Sequence, residues 1–182
     1  MAFPVFASGD VLNASDMNAV GLWLVKTQTI GTTVSSVTVT GAFSADYDNY
    51  RIILTGGAAS TSTYLAMTLG STSTGYYHGT IGTRYDTGAS TSGFGSNAAS
   101  WGNAFYGNSD SMFGSVDVFN PFAAKHTGFT QQVVVNATTG VGPLNGGGYL
   151  ANTTSYTAFT LTTVTGGATV TGGTIRVYGY RN

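Results

Sequence analysis

Residues 174–182, TIRVYGYRN, carry the pattern that decides the fold. Small or apolar residues alternate there with larger polar or aromatic ones, Ile175, Val177 and Gly179 against Arg176, Tyr178 and Tyr180. An alternation with a period of two predicts a β-strand with two different faces. We expect this strand to lie in the core, held between neighbouring elements or protomers. Its outward residues Arg176, Tyr178 and Tyr180 are predicted subunit contacts, and so is Arg181, paired with the terminal carboxylate or an Asp of the adjoining chain.

The composition indicates an all-β protein. Charged residues make up 7% of the 182 residues, against about 25% in typical soluble proteins. There is no Glu and helix formers are scarce, whereas Thr, Val, Tyr and Phe favour strands. A hydrophobic content of 42% and a net charge of −1 argue against disorder, which combines low hydrophobicity with high charge. A near-neutral exterior instead indicates a subunit whose flanks are covered by copies of itself.

Several function classes are excluded by what the composition lacks. The six Lys and Arg residues are scattered and cannot build the basic stripe that binds nucleic acid. No cysteine is present, so disulfides and thiolate metal sites are not expected. No apolar run approaches the roughly 18 residues that read as a membrane span, and residues 1–18 lack the features of a signal peptide. We therefore expect folding in a cytoplasm and no membrane insertion.

Residues 1–28 differ from the rest and are predicted to be a docking segment. The stretch NASDMNAVGLWLVKT (13–27) holds the one credible helix, because Asn13 can cap it and Met17, Val20 and Leu24 recur at helical spacing. The helix is expected to be short and to give way to an extended segment in LWLVKTQTI (22–30). Predicted contacts with the particle are Phe3, Phe6, Met17 and Trp23. The alternative is a helix that plugs one end of a sandwich.

Residues 29–182 are predicted to form a β-sandwich, with a jelly roll as its expected form. Seven stretches have strand patterns: VSSVTVT (34–40), YDNYRIILTG (47–56), YLAMTLG (64–70), GSVDVFNP (114–121), GFTQQVVVN (128–136), TAFTLTTV (157–164) and GGTIRVYGYRN (172–182). Between the last two, TGGATVTGGT (165–174) predicts a hairpin with paired-glycine turns. The sequence thus predicts short strands joined by glycine-rich turns.

The stretch from about 75 to 113 is predicted to be a long loop, although YYHGTIGTRYD (76–86) could be strand. It holds eight aromatic residues but, as aliphatic ones, only Ile81 and Met112. Long loops in compact domains are usually functional or ordered by a partner. Sugars stack on aromatic rings and bond to Asn and Asp, so the candidate ligand residues are Trp101, Asn103, Tyr106, Asn108 and Asp110. The alternative is that these rings fill a subunit interface or cap the sandwich core.

No catalytic signature is found, and we expect neither an enzyme nor a cofactor. The two histidines, His78 and His126, have no zinc-ligand spacing, and no G-x-S-x-G elbow is present. Carboxylates come from Asp alone, without a recognisable glycosidase pair. The cluster SADYDNY (44–50) offers oxygens that could bind calcium, but a turn leading into a strand explains it better. No metal site is therefore predicted.

Three stretches resemble small tailed-bacteriophage virion proteins, described variously as minor tail, tail-fibre, head-fibre or decoration proteins. They are FASGDVLNASDMNAVGLWLV (6–25), FSADYDNYRIILTG (43–56) and GGTIRVYGYRN (172–182). The resemblance covers about half of the chain, and the aromatic stretch in the middle has no counterpart. It implies a β-sandwich subunit, usually trimeric, attached to the particle by its N-terminal piece.

Two functions are therefore expected, both in a virion assembled in the cytoplasm of a host bacterium. The first is a trimeric tail-fibre or minor tail subunit that binds other virion proteins through residues 1–28 and a host-cell glycan through residues 75–113. The second is a capsid decoration or head-fibre protein that stabilises the shell. A small polysaccharide lyase or hydrolase is a more distant alternative.

Overall fold

The computed structural model describes residues 8–9, 21–135 and 140–180. Within these ranges the chain forms fourteen β-strands and no helix. In chain order the strands are β1 Leu22–Thr29, β2 Ser36–Val39, β3 Asn49–Thr55, β4 Ala58–Ala59, β5 Thr63–Leu69, β6 Tyr76–Arg84, β7 Ser90–Ala98, β8 Trp101–Gly107, β9 Met112–Phe119, β10 Thr127–Val133, β11 Val141–Leu150, β12 Phe159–Thr163, β13 Val170–Thr171 and β14 Thr174–Tyr180.

Twelve of the strands form one hydrogen-bonded system that divides into two sheets. The wide sheet has eight strands in the order β1-β14-β3-β9-β10-β11-β6-β7. The narrow sheet has four, in the order β2-β12-β5-β8. The chain passes from narrow to wide sheet at the β8–β9 hairpin, where Tyr106 pairs with Phe113 and Gly107 with Met112. Neighbouring strands are antiparallel, as expected where hairpins and long crossovers join short strands.

The inward faces of the two sheets form one core, which makes the fold sandwich-like and confirms the all-β prediction. Burial alternates along β3, β5 and β14, so that one side of each strand is apolar and enclosed. Trp101 of the narrow sheet stacks on Phe129 of the wide sheet, with ring centroids 4.5 Å apart. Because β8 and β10 share no ladder, this contact joins the faces of two layers rather than neighbours within one.

The strand at 174–180 is a central strand of the wide sheet, as predicted. Ile175 and Val177 are fully buried. Its two edges are paired with β1 and β3 of the same chain. The expectation that protomers flank this strand is therefore wrong at its edges, because intrachain ladders occupy both of them. Its outward face remains available to other contacts.

The predicted N-terminal helix is not found in the described part of the chain. Leu24, its last helical position, lies in β1, where Leu22–Thr29 pairs with β14. The extended segment predicted to follow the helix is confirmed. Pairing with β14 provides hydrogen-bond partners for the backbone N–H and C=O groups of these residues. In a helix the same groups would have to bond to one another. The remaining helical positions and the docking candidates Phe3, Phe6 and Met17 lie outside the described residues.

The long loop predicted at about 75–113 is wrong. The structure has strands β6, β7 and β8 there and the start of β9. β6 and β7 extend the wide sheet, and β8 closes one side of the narrow sheet. The part of the stretch that could be strand, 76–86, does contain β6, whereas the local pattern does not indicate β7 and β8 because aliphatic alternation is missing. The pairing of β6 and β8 is instead supported by ladders with β11 and β5 and by buried aromatic rings.

The predicted hairpin at 165–174 is also wrong, because β12 and β14 lie in different sheets. The segment instead holds β13, which pairs with β4 in a separate two-stranded ladder. Gly56 and Gly57 pass against Gly172 and Gly173 at this crossing, and all four have positive φ. A Cβ on Gly57 would overlap the carbonyl of Gly172, so only glycine fits.

Candidate functional site

Two of the predicted ligand residues lie inside the protein. Trp101 is fully buried and Tyr106 is buried with 6% of its surface exposed. Trp101 packs between Phe129 and Tyr76, and Tyr106 packs edge-on against Tyr64. Neither ring can stack on a ligand at the surface, so their assignment as ligand contacts is wrong. Trp101 belongs to the main core, as the core alternative predicted, whereas Tyr106 belongs to a second, smaller buried cluster with Val133, Val135 and Leu144.

The other three predicted ligand residues do not form a site together. Asn108 lies in the β8–β9 turn, where its side-chain oxygen accepts hydrogen bonds from the backbone N–H groups of Asp110 and Ser111. Asp110 is exposed on the same turn. Asn103 lines a separate pocket between the two sheets. The structure thus divides the five residues among two buried clusters, a turn and an open pocket.

The predicted subunit contacts on β14 lie on the outward face of the wide sheet. The Tyr180 hydroxyl donates a hydrogen bond to Asp117 at 2.7 Å, and Arg176 donates one to Thr55 at 3.2 Å. Tyr178 pairs across the sheet with Arg51. Arg181 lies outside the described residues. Trp23, predicted to dock on the particle, is a partly buried residue of β1 that pairs with Gly179.

Asp117 is the centre of a polar network on this outward face. Arg51 binds both of its carboxylate oxygens, at 2.9 and 2.7 Å. Partial burial by itself would raise the pKa of Asp117, but the hydrogen bonds from Arg51 and Tyr180 and the charge of Arg51 lower it below the usual value. Burial, followed by the hydrogen bond to Asp117, raises the pKa of Tyr180 to about 12. The carboxylate is therefore ionised and neutralised by its neighbours at physiological pH.

Next to this network a cross-strand row that includes two glycines runs over four strands on the outward face of the wide sheet. We call it the glycine trough and define it by the cross-strand row Gly79, Gly147, Thr130 and Asp117, with Phe94 at its far end. Each residue of the row pairs with the next: Phe94 with Gly79, Gly79 with Gly147, Gly147 with Thr130, and Thr130 with Asp117. From Phe94 to Asp117 the row takes four strand spacings, or about 19 Å.

One wall of the glycine trough is polar. Asn145, Gln132 and Ser115 form the neighbouring cross-strand row, paired in that order. Together with Thr130 and Asp117 they line a depression of about 240 Å³, whose remaining lining comes from Gln131 and Gly146. Amide and hydroxyl groups dominate this wall, and each of them can both donate and accept hydrogen bonds.

The opposite wall of the glycine trough is aromatic. Tyr77 and Tyr149 pair across β6 and β11, and their rings are stacked 5.2 Å apart at an angle of 10°. His126 stacks on the other side of Tyr149, with centroids 5.8 Å apart. At the end of the trough Phe94 is 86% exposed. Rings are therefore available at one side and at one end of the row that contains Gly79 and Gly147.

A second, smaller pocket of about 100 Å³ lies between the sheets near β6, β7 and β8. Thr80, Thr91 and Asn103 contribute its polar lining. The Thr91 hydroxyl and the nearby His78 Nδ1 are buried and have no hydrogen-bond partner among the described residues. Burial lowers the pKa of His78, which favours the neutral imidazole. The pocket has room for a few water molecules, each occupying about 30 Å³.

Among residues 8–9, 21–135 and 140–180, no group of three or more His, Cys, Asp or Glu side chains could hold a metal ion. No helix that could span a membrane is found in this part of the chain. Comparison with known proteins finds no matching family model, no matching curated protein and no matching solved structure.

The residues of the glycine trough were missed by sequence reasoning. Their signal was present, because GFTQQVVVN (128–136) alternates in a way that places Thr130 and Gln132 on one face. The stretch LNGGGYL (144–150) is most of β11, although its run of three glycines carries no strand pattern. The sequence pattern does not contain the register that brings β10, β11 and β6 side by side.

Proposed function

We propose that this chain is a non-enzymatic structural subunit of a tailed-phage virion, a trimeric tail-fibre or minor tail protein that contacts a host-cell glycan. The order of the strands carries the proposal. The wide sheet contains the run β1-β14-β3-β9, and the narrow sheet is β2-β12-β5-β8. Along the chain β1, β2, β3 and β5 alternate between the two layers, and β9, β12 and β14 alternate again once the additional wide-sheet strands β10 and β11 are left out. This order supports a jelly roll, an architecture used by viral capsid and lectin domains.

The scarcity of charge supports self-association into a trimer. With 7% charged residues, the chain has few of the groups that keep most soluble monomers apart. Exposed apolar side chains outside the docking strand and the glycine trough include Tyr85, Val134 and Val164. Covering such side chains by neighbouring copies removes apolar area from water, which is the main driving force for association.

Attachment to other virion proteins is assigned to the N-terminal segment, residues 1–28. Its last part is anchored, because β1 pairs along the length of β14. Leu22 and Leu24 are 44% and 56% exposed on the outward side of this strand. We propose that these two side chains extend the docking surface from the segment onto the edge of the wide sheet.

The proposal is tested by the mass of the purified protein and by its place on the particle. Light scattering at micromolar concentration should give three times the chain mass of 18.6 kDa. Antibody labelling of virions should place the protein at the tail. A stable monomer would refute the trimer, and virions without any label would refute the structural role.

The second candidate is a capsid decoration or head-fibre protein, and the jelly-roll order favours it equally because capsid domains use it. The same labelling experiment distinguishes the two candidates. Label on the head supports decoration of the shell and excludes the tail assignment.

A further inference from the structure

We propose that the glycine trough is a binding site for a neutral saccharide, with one sugar ring lying over Gly79 and Gly147. The inference rests on the host-attachment role in the proposed function and names the site and the ligand class for that role. It moves the recognition site from the aromatic side chains of β8 to the outward face of β6, β10 and β11. Four features of the trough carry it.

The first feature is an open floor. At Gly79 no described atom lies within 4 Å of the point where a Cβ would stand, and φ there is not in the left-handed region. The backbone therefore does not require glycine. Glycine weakens a strand interior, and it is found there where a ligand or another backbone approaches closely. The neighbouring Gly147 on β11 also lacks a side chain, but a Cβ there would meet the Phe129 carbonyl oxygen at 3.0 Å, so the open space lies at Gly79.

The second feature is the chemistry of the polar wall. A sugar presents several hydroxyl groups, each of which donates and accepts hydrogen bonds. The exposed amides of Gln132 and Asn145 supply both functions on adjacent strands. The hydroxyls of Ser115 and Thr130 line the same depression. A purely apolar ligand would leave these groups without partners, which is unfavourable.

The third feature is the pair of exposed aromatic surfaces. A sugar ring has apolar C–H faces that pack on aromatic rings, and Tyr149 is 43% exposed in a stack that holds its orientation. Phe94 lies directly across from Gly79 yet is 86% exposed, so its ring does not pack down over the glycine. The ring is left beside an open floor, where a ligand can cover it.

The fourth feature is the charge of the site. Asp117 is the only ionisable residue of the row and of the polar wall, and Arg51 already binds both of its oxygens. An anionic ligand would find no free cation among the residues of the row and of the polar wall, and a cation would compete with Arg51 for the carboxylate. A neutral ligand meets neither penalty. The depression of about 240 Å³ is lined by the polar wall and not by Gly79 or Gly147, so it would receive the hydroxyl groups at one edge of a ligand whose ring lies over the glycines.

The test begins with the labelled full-length protein on an array of neutral and acidic oligosaccharides, followed by calorimetric titration of the strongest neutral hit. Gly79→Thr fills the floor with a residue that strands favour, in a place where the structure has room for it. We expect it to weaken binding at least ten-fold while circular dichroism and melting temperature stay as in the wild type. The matched control is Gly166→Thr, also in open space but far from the trough, and its binding should be unchanged.

Two further variants test the polar wall and the exposed ring at the far end of the trough. Asn145→Ala and Phe94→Ala should each weaken binding several-fold, because each removes one class of contact. The inference is overturned if the array shows no neutral ligand, if only acidic sugars bind, or if all three trough variants bind as tightly as the wild type. It is also overturned if Gly79→Thr changes the mass in light scattering, since a second copy would then occupy the trough.

These outcomes are separable from those of the proposed function. If antibody labelling finds the protein on the virion and it forms a trimer but binds no neutral sugar, the structural role stands and the saccharide site is refuted. A protein that binds sugar through the trough but is not found on virions keeps the site and removes the virion assignment.

Discussion

Replacing Trp101 with alanine should destabilise the protein severely, because the ring joins the two sheets. The side chain is fully buried, stacked on Phe129 at 4.5 Å and edge-on to Tyr76 at 5.1 Å. Removing a buried Trp costs about 3–5 kcal/mol, within which each aromatic pair accounts for about 0.5–1.5 kcal/mol. Since domains are stable by about 5–15 kcal/mol, the variant should lose a large part of its free energy of unfolding.

A ligand-contact role for Trp101 would give a different result. Urea unfolding followed by circular dichroism measures the loss without depending on the fluorescence of the replaced residue. The matched control is Phe94→Ala, which removes a ring that is 86% exposed and should change stability by less than about 0.5 kcal/mol. Trp101→Phe should retain most of the stability, because it keeps the stack and removes an indole N–H without a partner among the described residues. If Trp101→Ala unfolds at the wild-type midpoint, the packing described for the core is refuted.

Three other predictions concern charge and backbone. Because the pKa of Asp117 is lowered in the folded state, the ionised side chain contributes to the free energy of unfolding above its ordinary pKa near 3.8, and this contribution is lost as the pH falls below that value. Asp117→Asn should therefore cost about 0.5–1 kcal/mol at pH 7. Urea unfolding curves of the variant and the wild type should converge at low pH. The pKa of Tyr180 is raised to about 12 in the folded protein, so its hydroxyl stabilises the fold below a pH of about 10 and loses that effect as the pH rises toward the folded pKa. Tyr180→Phe should abolish this part of the loss of stability at alkaline pH. An unchanged dependence of the urea midpoint on alkaline pH would contradict the contact with Asp117. Gly57→Ala should cost more than about 1 kcal/mol in thermal melts, because its Cβ would overlap the Gly172 carbonyl at a positive φ, whereas Gly166→Ala in open space should be nearly neutral.

Strands with alternating aliphatic residues could be predicted from the sequence. β3, β5, β9, β12 and β14 each bury one set of alternate side chains, and each overlaps a stretch that has this pattern. The reason is local, because the period of two in the side chains is also the period of the pleat. The all-β class follows from these strands together with the composition.

β6, β7 and β8 could not be predicted in the same way. In β7 glycine and serine occupy most positions and the side chains are largely exposed, so no apolar face marks it. Its partner on β6 supplies the hydrogen bonds that hold it in the sheet. For Trp101 and Tyr106, the residue types fit a ligand site and a core equally well, and burial separates the two.

By itself the sequence determined the class of fold, the position of most aliphatic strands and the near-neutral surface, because these properties depend on residue type and on neighbours along the chain. Only the tertiary structure decided which strands lie side by side, that Trp101 is enclosed, and that Gly79, Gly147 and Thr130 form one row. Residues distant in the chain become neighbours through strand register, and register is set by the packing of the whole sandwich rather than by any one segment.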